Sequence, residues 1–322
     1  MKAFLSSATV APDGNFANAG NLAAGQTSEQ SIGLPSNAQA CPLCRAPEIA
    51  TVLAENRRAL NRCLRCGVMY LHPHPAPDQL REFFSSKYIA CEQDVELRFG
   101  TRPCKLHQAV AAFIQQRKTQ GSILDVGCAG GHFLDGFFRG CGWNKWGVEL
   151  SRFAAERAAR KSIRVHVGDL HSAALPRHSF DVITLLDTFY YFLQPQRELA
   201  VIRQSLKTEG LLVIVLPSAA VHIWRNTAWR ALLFRPGLFR GTRESLLDTH
   251  HLYFYSPQSL RHLLRQCGFD PIAVRPLPAV GQRSWWINRL ADGYYTASAA
   301  AWKLHLSEEM LAPHFLVAAH PA

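Results

Sequence analysis

From Gly121 onward, short apolar runs alternate with stretches of helical period. The candidate strands are Ile123–Val126, Trp146–Glu149, Arg164–Val167, Val182–Leu186 and Leu211–Leu216, and helical patterns such as Arg152–Lys161 and Gln196–Leu206 lie between them. Ile272–Val274 and His314–Ala319 supply two more strand candidates, separated by a helical pattern from Trp285 to about Leu306. Strands this short and apolar must be covered on both faces. Their alternation with helices specifies a parallel sheet between two helical layers. The pattern therefore predicts a doubly wound α/β fold with a mostly parallel seven-stranded sheet over residues 121–322.

Ahead of this domain the pattern differs. Residues 1–40 are rich in Ala, Asn, Gly and Ser, nearly uncharged and without period, which predicts a disordered tail. Residues 41–75 form a cysteine-rich module, closed by the stiff run His72-Pro-His74-Pro-Ala-Pro77. Residues 76–120 read as a helical linker. Leu80, Phe83 and Phe84 lie on one side of a first helix, and Leu106, Val110, Phe113 and Ile114 fall at helical spacing in a second. An insertion at 221–250 interrupts the strand–helix rhythm.

Composition narrows the class. With 322 residues, 48% of them hydrophobic, the chain can bury one large core and a small accessory one. No apolar run is long enough to span a bilayer. The opening MKAFLSSATVAPDG, with one lysine and a Ser/Thr-broken apolar stretch, is a poor signal peptide, so a cytoplasmic location is expected. The net charge of +11 is scattered rather than gathered into a tract, which disfavours nucleic acid as the partner. Nine cysteines in such a chain point to thiols or metal ligands, not to a disulfide framework. Five of them, Cys91, Cys104, Cys128, Cys141 and Cys267, read as ordinary thiols.

The other four are patterned. Cys41-Pro-Leu-Cys44 and Cys63-Leu-Arg-Cys66-Gly67 are two knuckles with 18 residues between Cys44 and Cys63, enough for a hairpin that brings the pairs together. Four thiolates close the tetrahedron of a structural zinc site and leave no position open for catalysis.

Ile123-Leu-Asp125-Val-Gly127-Cys128-Ala129-Gly130-Gly131-His132 runs from an apolar strand into a glycine-rich turn. Such a turn lets backbone pass close to a ligand at the carboxyl edge of the sheet. The dinucleotide fingerprint fails here, because Ala129 and His132 stand where it needs its second and third glycines. Asp125 suits a ligand that carries an ammonium group. Glu149, at the tip of the second strand, can accept from a ribose diol. Asp169, after the third strand, can accept from an exocyclic amine while Leu170 packs on a purine face. Asp187 ends the fourth strand. One carboxylate at each of four successive strand tips is hard to produce by chance. Cys128, Ala129, Gly131 and Leu150 complete the candidate cofactor set.

With these residues, 121–216 resembles the class I S-adenosylmethionine-dependent methyltransferases, a Rossmann-like fold. The resemblance implies that Asp125, Gly127 and Gly131 surround the methionine part, that Glu149 holds the ribose hydroxyls, and that Asp169 and Leu170 meet the adenine. Ala129 stands where relatives carry a middle glycine. The knuckles, the proline-rich run and His251-Leu-Tyr-Phe-Tyr255-Ser-Pro-Gln-Ser-Leu260 are similar to a subgroup with an N-terminal zinc ribbon, which extends the resemblance to about 41–275. It implies S-adenosyl-L-methionine as cofactor and the tailoring of sugars, surface glycans or secondary metabolites.

The acceptor side is less defined. Tyr190-Tyr191 stand where relatives often carry Glu-His, so the candidate bases are Tyr191 and His251. Trp224-Arg225, Trp229-Arg230, Phe234-Arg235 and Phe239-Arg240 in the insertion read as a lid for an anionic acceptor, as a contact to an anionic membrane surface, or as a packed insertion with solvated arginines. The expected partner is a small-molecule or glycan acceptor. A nucleic-acid methyltransferase and a non-catalytic cofactor-binding scaffold are the alternatives. Against the former, no Asn/Asp-Pro-Pro-Tyr/Phe sequence follows the fourth strand.

Overall fold

The structure is a computed structural model. It describes residues 40–322 except 56–57, 83, 85–103, 141, 222, 224–250, 280–284 and 305–310. The expected disordered tail, the Trp-Arg and Phe-Arg pairs of the insertion, and Cys91, Cys141 and Phe83 lie outside the described residues.

Seven strands make the main sheet: β4 (Gly121–Val126), β5 (Trp143–Glu149), β6 (Arg164–Val167), β7 (Phe180–Leu186), β8 (Leu206–Pro217), β10 (Phe269–Leu277) and β11 (His314–Pro321). Their order is β10-β11-β8-β7-β4-β5-β6. β11 runs antiparallel to β10 and β8, while the pairs from β8 to β6 are parallel. The central strands are continuous apolar runs because both faces are covered; every residue of Leu211–Leu216 is buried. β10 exceeds the expected Ile272–Val274 at both ends. Pro271 and Pro276 cannot complete a ladder on both sides, so this strand lies at the sheet edge, where that costs nothing.

The helices that cover the sheet are α2 (Lys105–Gln115), α3 (His132–Phe137), α4 (Arg152–Ala159), α5 (Pro195–Ser205), α6 (Pro257–Gln266) and α7 (Trp285–Lys303). A shorter α1 (Pro77–Glu82) precedes them. Ser151 caps α4, and Ser256 caps α6 in a reciprocal capping box with Ser259. Among the described residues no helix is long and apolar enough to cross a membrane.

The cysteine module is an antiparallel sheet. β1 (Ile49–Glu55) and β2 (Arg58–Cys63) form the expected hairpin between the knuckles, and β3 (Met69–His72) pairs with β2. A fourth strand comes from far along the chain: β9 (Tyr253–Phe254) pairs Tyr253 with Tyr70 and Phe254 with Met69. The Leu71 N–H donates to the Leu252 carbonyl at 3.0 Å, and the Leu252 N–H donates to the Tyr190 carbonyl at 3.0 Å. Leu43, Val68 and Tyr70 share one apolar core with Phe189, Leu199, Leu252 and Tyr255. The ribbon is thus built into the wall of the large domain.

Candidate functional site

The carboxyl ends of β4, β5, β6 and β7 converge on the glycine turn. Gly127 holds φ 75°, and a Cβ there would lie 2.4 Å from Thr188 Oγ1. Gly131 holds φ 73° at the start of α3, where a Cβ would come within 2.5 Å of Ile163 Cδ1. Ala129 adopts φ 47°, a left-handed conformation that an L-residue enters at a cost of roughly 1–2 kcal/mol. The strain is held in place by Glu149, whose Oε2 accepts from the Ala129 N–H at 2.9 Å. Lys161 clamps the same turn from just beyond the C-terminus of α4, donating to the Gly130 carbonyl at 2.5 Å and lying 3.3 Å from Nδ1 of His132. Sequence reasoning missed Lys161, because nothing local ties it to a turn some 30 residues earlier.

Glu149 also accepts from the Ser151 N–H through Oε1 at 2.9 Å, so one carboxylate joins the glycine turn to the start of α4. Burial raises its pKa against these donors. Asp125 is nearly sealed, and its Oδ1 accepts from Thr184 Oγ1 at 2.6 Å. Burial raises Asp125 to about 7, opposed by the Thr184 hydrogen bond and reinforced by the Glu149 charge. Asp169 is exposed and accepts from the Ser172 N–H at 2.8 Å, which holds its carboxyl below the usual range. Leu170, expected to pack on the purine, is buried in the core, whereas Leu150, the other leucine of the candidate cofactor set, is exposed at the β5 tip. Cys128 is buried behind the turn.

Beyond the turn lies Asp187, with φ 53° and its N–H bonded to the Val215 carbonyl at 3.0 Å. Burial raises its carboxyl to about 7, while a third of the side chain stays accessible. His314, the first residue of β11, brings Nε2 within 3.8 Å of Asp187 Oδ2. Cys104, the N-cap of α2, senses the same carboxylate. Next to it stands an aromatic group. Tyr190 and His251 have ring centroids 3.9 Å apart, Tyr190 and Tyr191 4.4 Å, and His251 and Phe254 5.9 Å.

The knuckle cysteines converge as their spacing requires. All four sulfurs lie within 4.8 Å of one another, with Cys41–Cys66 at 3.7 Å and Cys44–Cys63 at 3.5 Å. A tetrahedron with Zn–S bonds of about 2.3 Å has edges of about 3.8 Å, so the four donors fit that ion.

The state of Asp125 makes a pH prediction. A ligand ammonium favours the carboxylate, so binding below about 7 must first expel the proton. Cofactor affinity is expected to rise as pH increases through that value and to level off above it. Thr184→Val removes the donor that favours the charged form, which moves the plateau to higher pH and weakens binding at pH 7 by about tenfold. Calorimetric titration from pH 5.5 to 8.5 checks this; identical profiles for the two proteins contradict it.

A family profile described as "Methyltransferase domain" matches residues 99–274, more than half of the chain. No curated protein sequence matches it. Among solved structures, an S-adenosylmethionine-dependent methyltransferase of Thermotoga maritima, a possible histamine N-methyltransferase, superposes with a TM-score of 0.50 at 16% identity, covering 75% of this chain and 99% of that one. Magnesium protoporphyrin IX methyltransferase of Synechocystis, solved with bound S-adenosylhomocysteine, gives 0.50 at 13% identity over 77% and 100% of the two chains. At these identities the likeness shows the shared fold.

Proposed function

Because the chain belongs to the methyltransferase-domain family and is an S-adenosylmethionine-dependent methyltransferase, we propose that it methylates a small-molecule or carbohydrate-type acceptor at the edge of β7. One observation carries the cofactor half of this reading: Glu149 bridges the glycine turn and the start of α4 with both oxygens, each of which keeps a second lone pair for a ribose hydroxyl. Asp125 answers the ammonium of the methionine part, Gly127 and Gly131 let the backbone approach it, and Asp169 meets the adenine. Leu150, the accessible leucine, takes the packing role that was expected of Leu170. The sulfonium supplies the electrophile. The protein's task is to place the acceptor in line with the methyl group and keep water out.

For the acceptor, the half-buried rings of Tyr191 and His251, backed by the buried rings of Tyr190 and Phe254, support a planar or sugar-faced small molecule. Aromatic bodies with polar tips stack on such faces and hydrogen-bond their edges. Tyr191 and His251 belong to this wall. The four-sulfur cluster is assigned a structural zinc ion, which locks the ribbon to β9 and so holds the wall in place.

Two measurements test the reading. Wild-type protein titrated with S-adenosylhomocysteine is expected to bind one equivalent; absence of heat at every pH defeats the cofactor assignment. Transfer of a deuterated methyl group into a small-molecule extract, run beside tRNA and duplex DNA, tests the acceptor class, and label confined to nucleic acid overturns it.

A further inference from the structure

We propose, resting on the methyltransferase reading, that Asp187 is the acceptor-side base of this enzyme and that His314 positions it. The order of strands along the sheet edge carries the assignment. Asp169 follows β6, Glu149 ends β5, the glycine turn follows β4, Asp187 follows β7, and His314 opens β11 on the far side of β8. Neighbouring strands lie about 4.8 Å apart. An adenosyl group laid across the tips of β6, β5 and β4 brings its sulfur to the boundary between β4 and β7. There Thr188 packs so closely on Gly127 that not even a methyl group fits between them. The next carboxylate in line is Asp187.

Its conformation is that of a held functional group. A left-handed φ on a non-glycine residue persists only where the surroundings impose it, and here the hydrogen bond to the Val215 carbonyl does so. Oδ1 is shut away from solvent without a hydrogen-bond donor among the described residues, and Oδ2 lies toward Nε2 of His314 at 3.8 Å. An under-satisfied carboxylate has a raised proton affinity, and burial brings it to about 7, near the optimum for a base at neutral pH. Burial also keeps the imidazole uncharged, with its pKa lowered to about 4, so His314 sets a neutral polar ring, not a cation, beside Oδ2. β11 fixes the ring: His314 pairs with Pro217 across β8, and the Pro278 carbonyl lies beside it. As an acceptor hydroxyl oxygen bonds to the methyl carbon, the carbon–sulfur bond breaks and its electron pair stays on sulfur. Asp187 Oδ2 takes the hydroxyl proton, which the pair then releases to solvent.

The test uses two cofactor analogues that need no acceptor. Sinefungin carries an ammonium where the methyl group departs, whereas S-adenosylhomocysteine carries none. Wild-type protein at pH 8 is expected to bind sinefungin at least tenfold more tightly than S-adenosylhomocysteine. Asp187→Asn is expected to reduce that preference to about onefold, and Asp187→Glu, which keeps the charge but displaces it, to reduce it in part. His314→Leu is expected to lower the preference at least threefold with S-adenosylhomocysteine affinity unchanged. A purely structural lesion would weaken both ligands alike. A preference that survives Asp187→Asn, or a ratio unmoved by His314→Leu, overturns the proposal. Failure of wild-type protein to bind either analogue strikes instead at the cofactor reading.

Discussion

Cys63→Ser is expected to break the proposed zinc site and to lower the unfolding midpoint of the whole chain by about 10 °C. Cys63 is fully buried, its sulfur lies 3.5 Å from that of Cys44, and it accepts from the Cys66 N–H. A serine oxygen is a poor substitute for a thiolate at a tetrahedral zinc site. Zinc binding contributes roughly 10–16 kcal/mol to folding in small zinc-dependent modules. Only part of that reaches this chain, because the ribbon is also held by the shared core and by its pairing with β9. A net loss of a few kcal/mol, at roughly 2–4 °C per kcal/mol for a domain of this size, gives the expected shift. The damage should travel along the strand pairing. Hydrogen exchange should accelerate at Leu71, Leu252 and Tyr253 while the amides of β4 and β7 stay protected. Cys267→Ser, outside the cluster, serves as the control. Native metal content by mass spectrometry together with calorimetry decides the matter. A Cys63→Ser protein that melts with the wild type shows that the cluster holds nothing of structural weight.

What could be read from the sequence follows from range. The strands around Val126, Leu185 and Ile214 were legible because a strand buried on both faces writes its burial as an unbroken apolar run. Gly127, Gly131 and Glu149 could be grouped from the sequence because each lies within a few residues of a strand end, and the structure brings them together at one turn. The knuckles announced themselves by spacing. Other features depend on contacts across the chain. β9 is two residues long and has no period to detect, yet it ties the ribbon to the Tyr190 loop. Thr184, sixty residues from the Leu124 carbonyl it approaches, looks like any strand threonine until the sheet places it beside Asp125. His314 is a polar residue at the start of an apolar strand, and only the antiparallel direction of β11 puts that start on the edge where the parallel strands end. Leu170 illustrates the reverse. Its position after Asp169 suggested a ligand contact, but sequence alone does not say to which side of the turn a leucine points, and the core takes it.

Glu149→Gln is expected to abolish measurable binding of S-adenosylhomocysteine, a loss of at least a hundredfold, although the substitution changes one atom. Both Glu149 oxygens already accept a backbone N–H, from Ala129 and from Ser151. Whichever oxygen the amide nitrogen replaces, an N–H then faces another donor instead of an acceptor, and one of two buried backbone donors is left unsatisfied, at about 1–3 kcal/mol. The ribose also meets one acceptor where it had two, and a hydrogen bond to a charged group contributes roughly 1.5–3 kcal/mol. The ribose term alone reaches about the 2.7 kcal/mol that corresponds to a hundredfold at its upper end, and a turn disordered by the unsatisfied donor adds to it on binding. Fold and binding part company in this variant. Glu149 is raised in pKa by burial, so loss of its charge relieves a desolvation penalty and offsets part of the strain in the unliganded protein. The melting temperature should therefore fall by only a few degrees while binding disappears. Glu149→Ala removes the bridge altogether and should lose both. Binding within tenfold of wild type in Glu149→Gln would mean that the carboxylate serves only to tie the turn to α4, and that the ribose is held elsewhere.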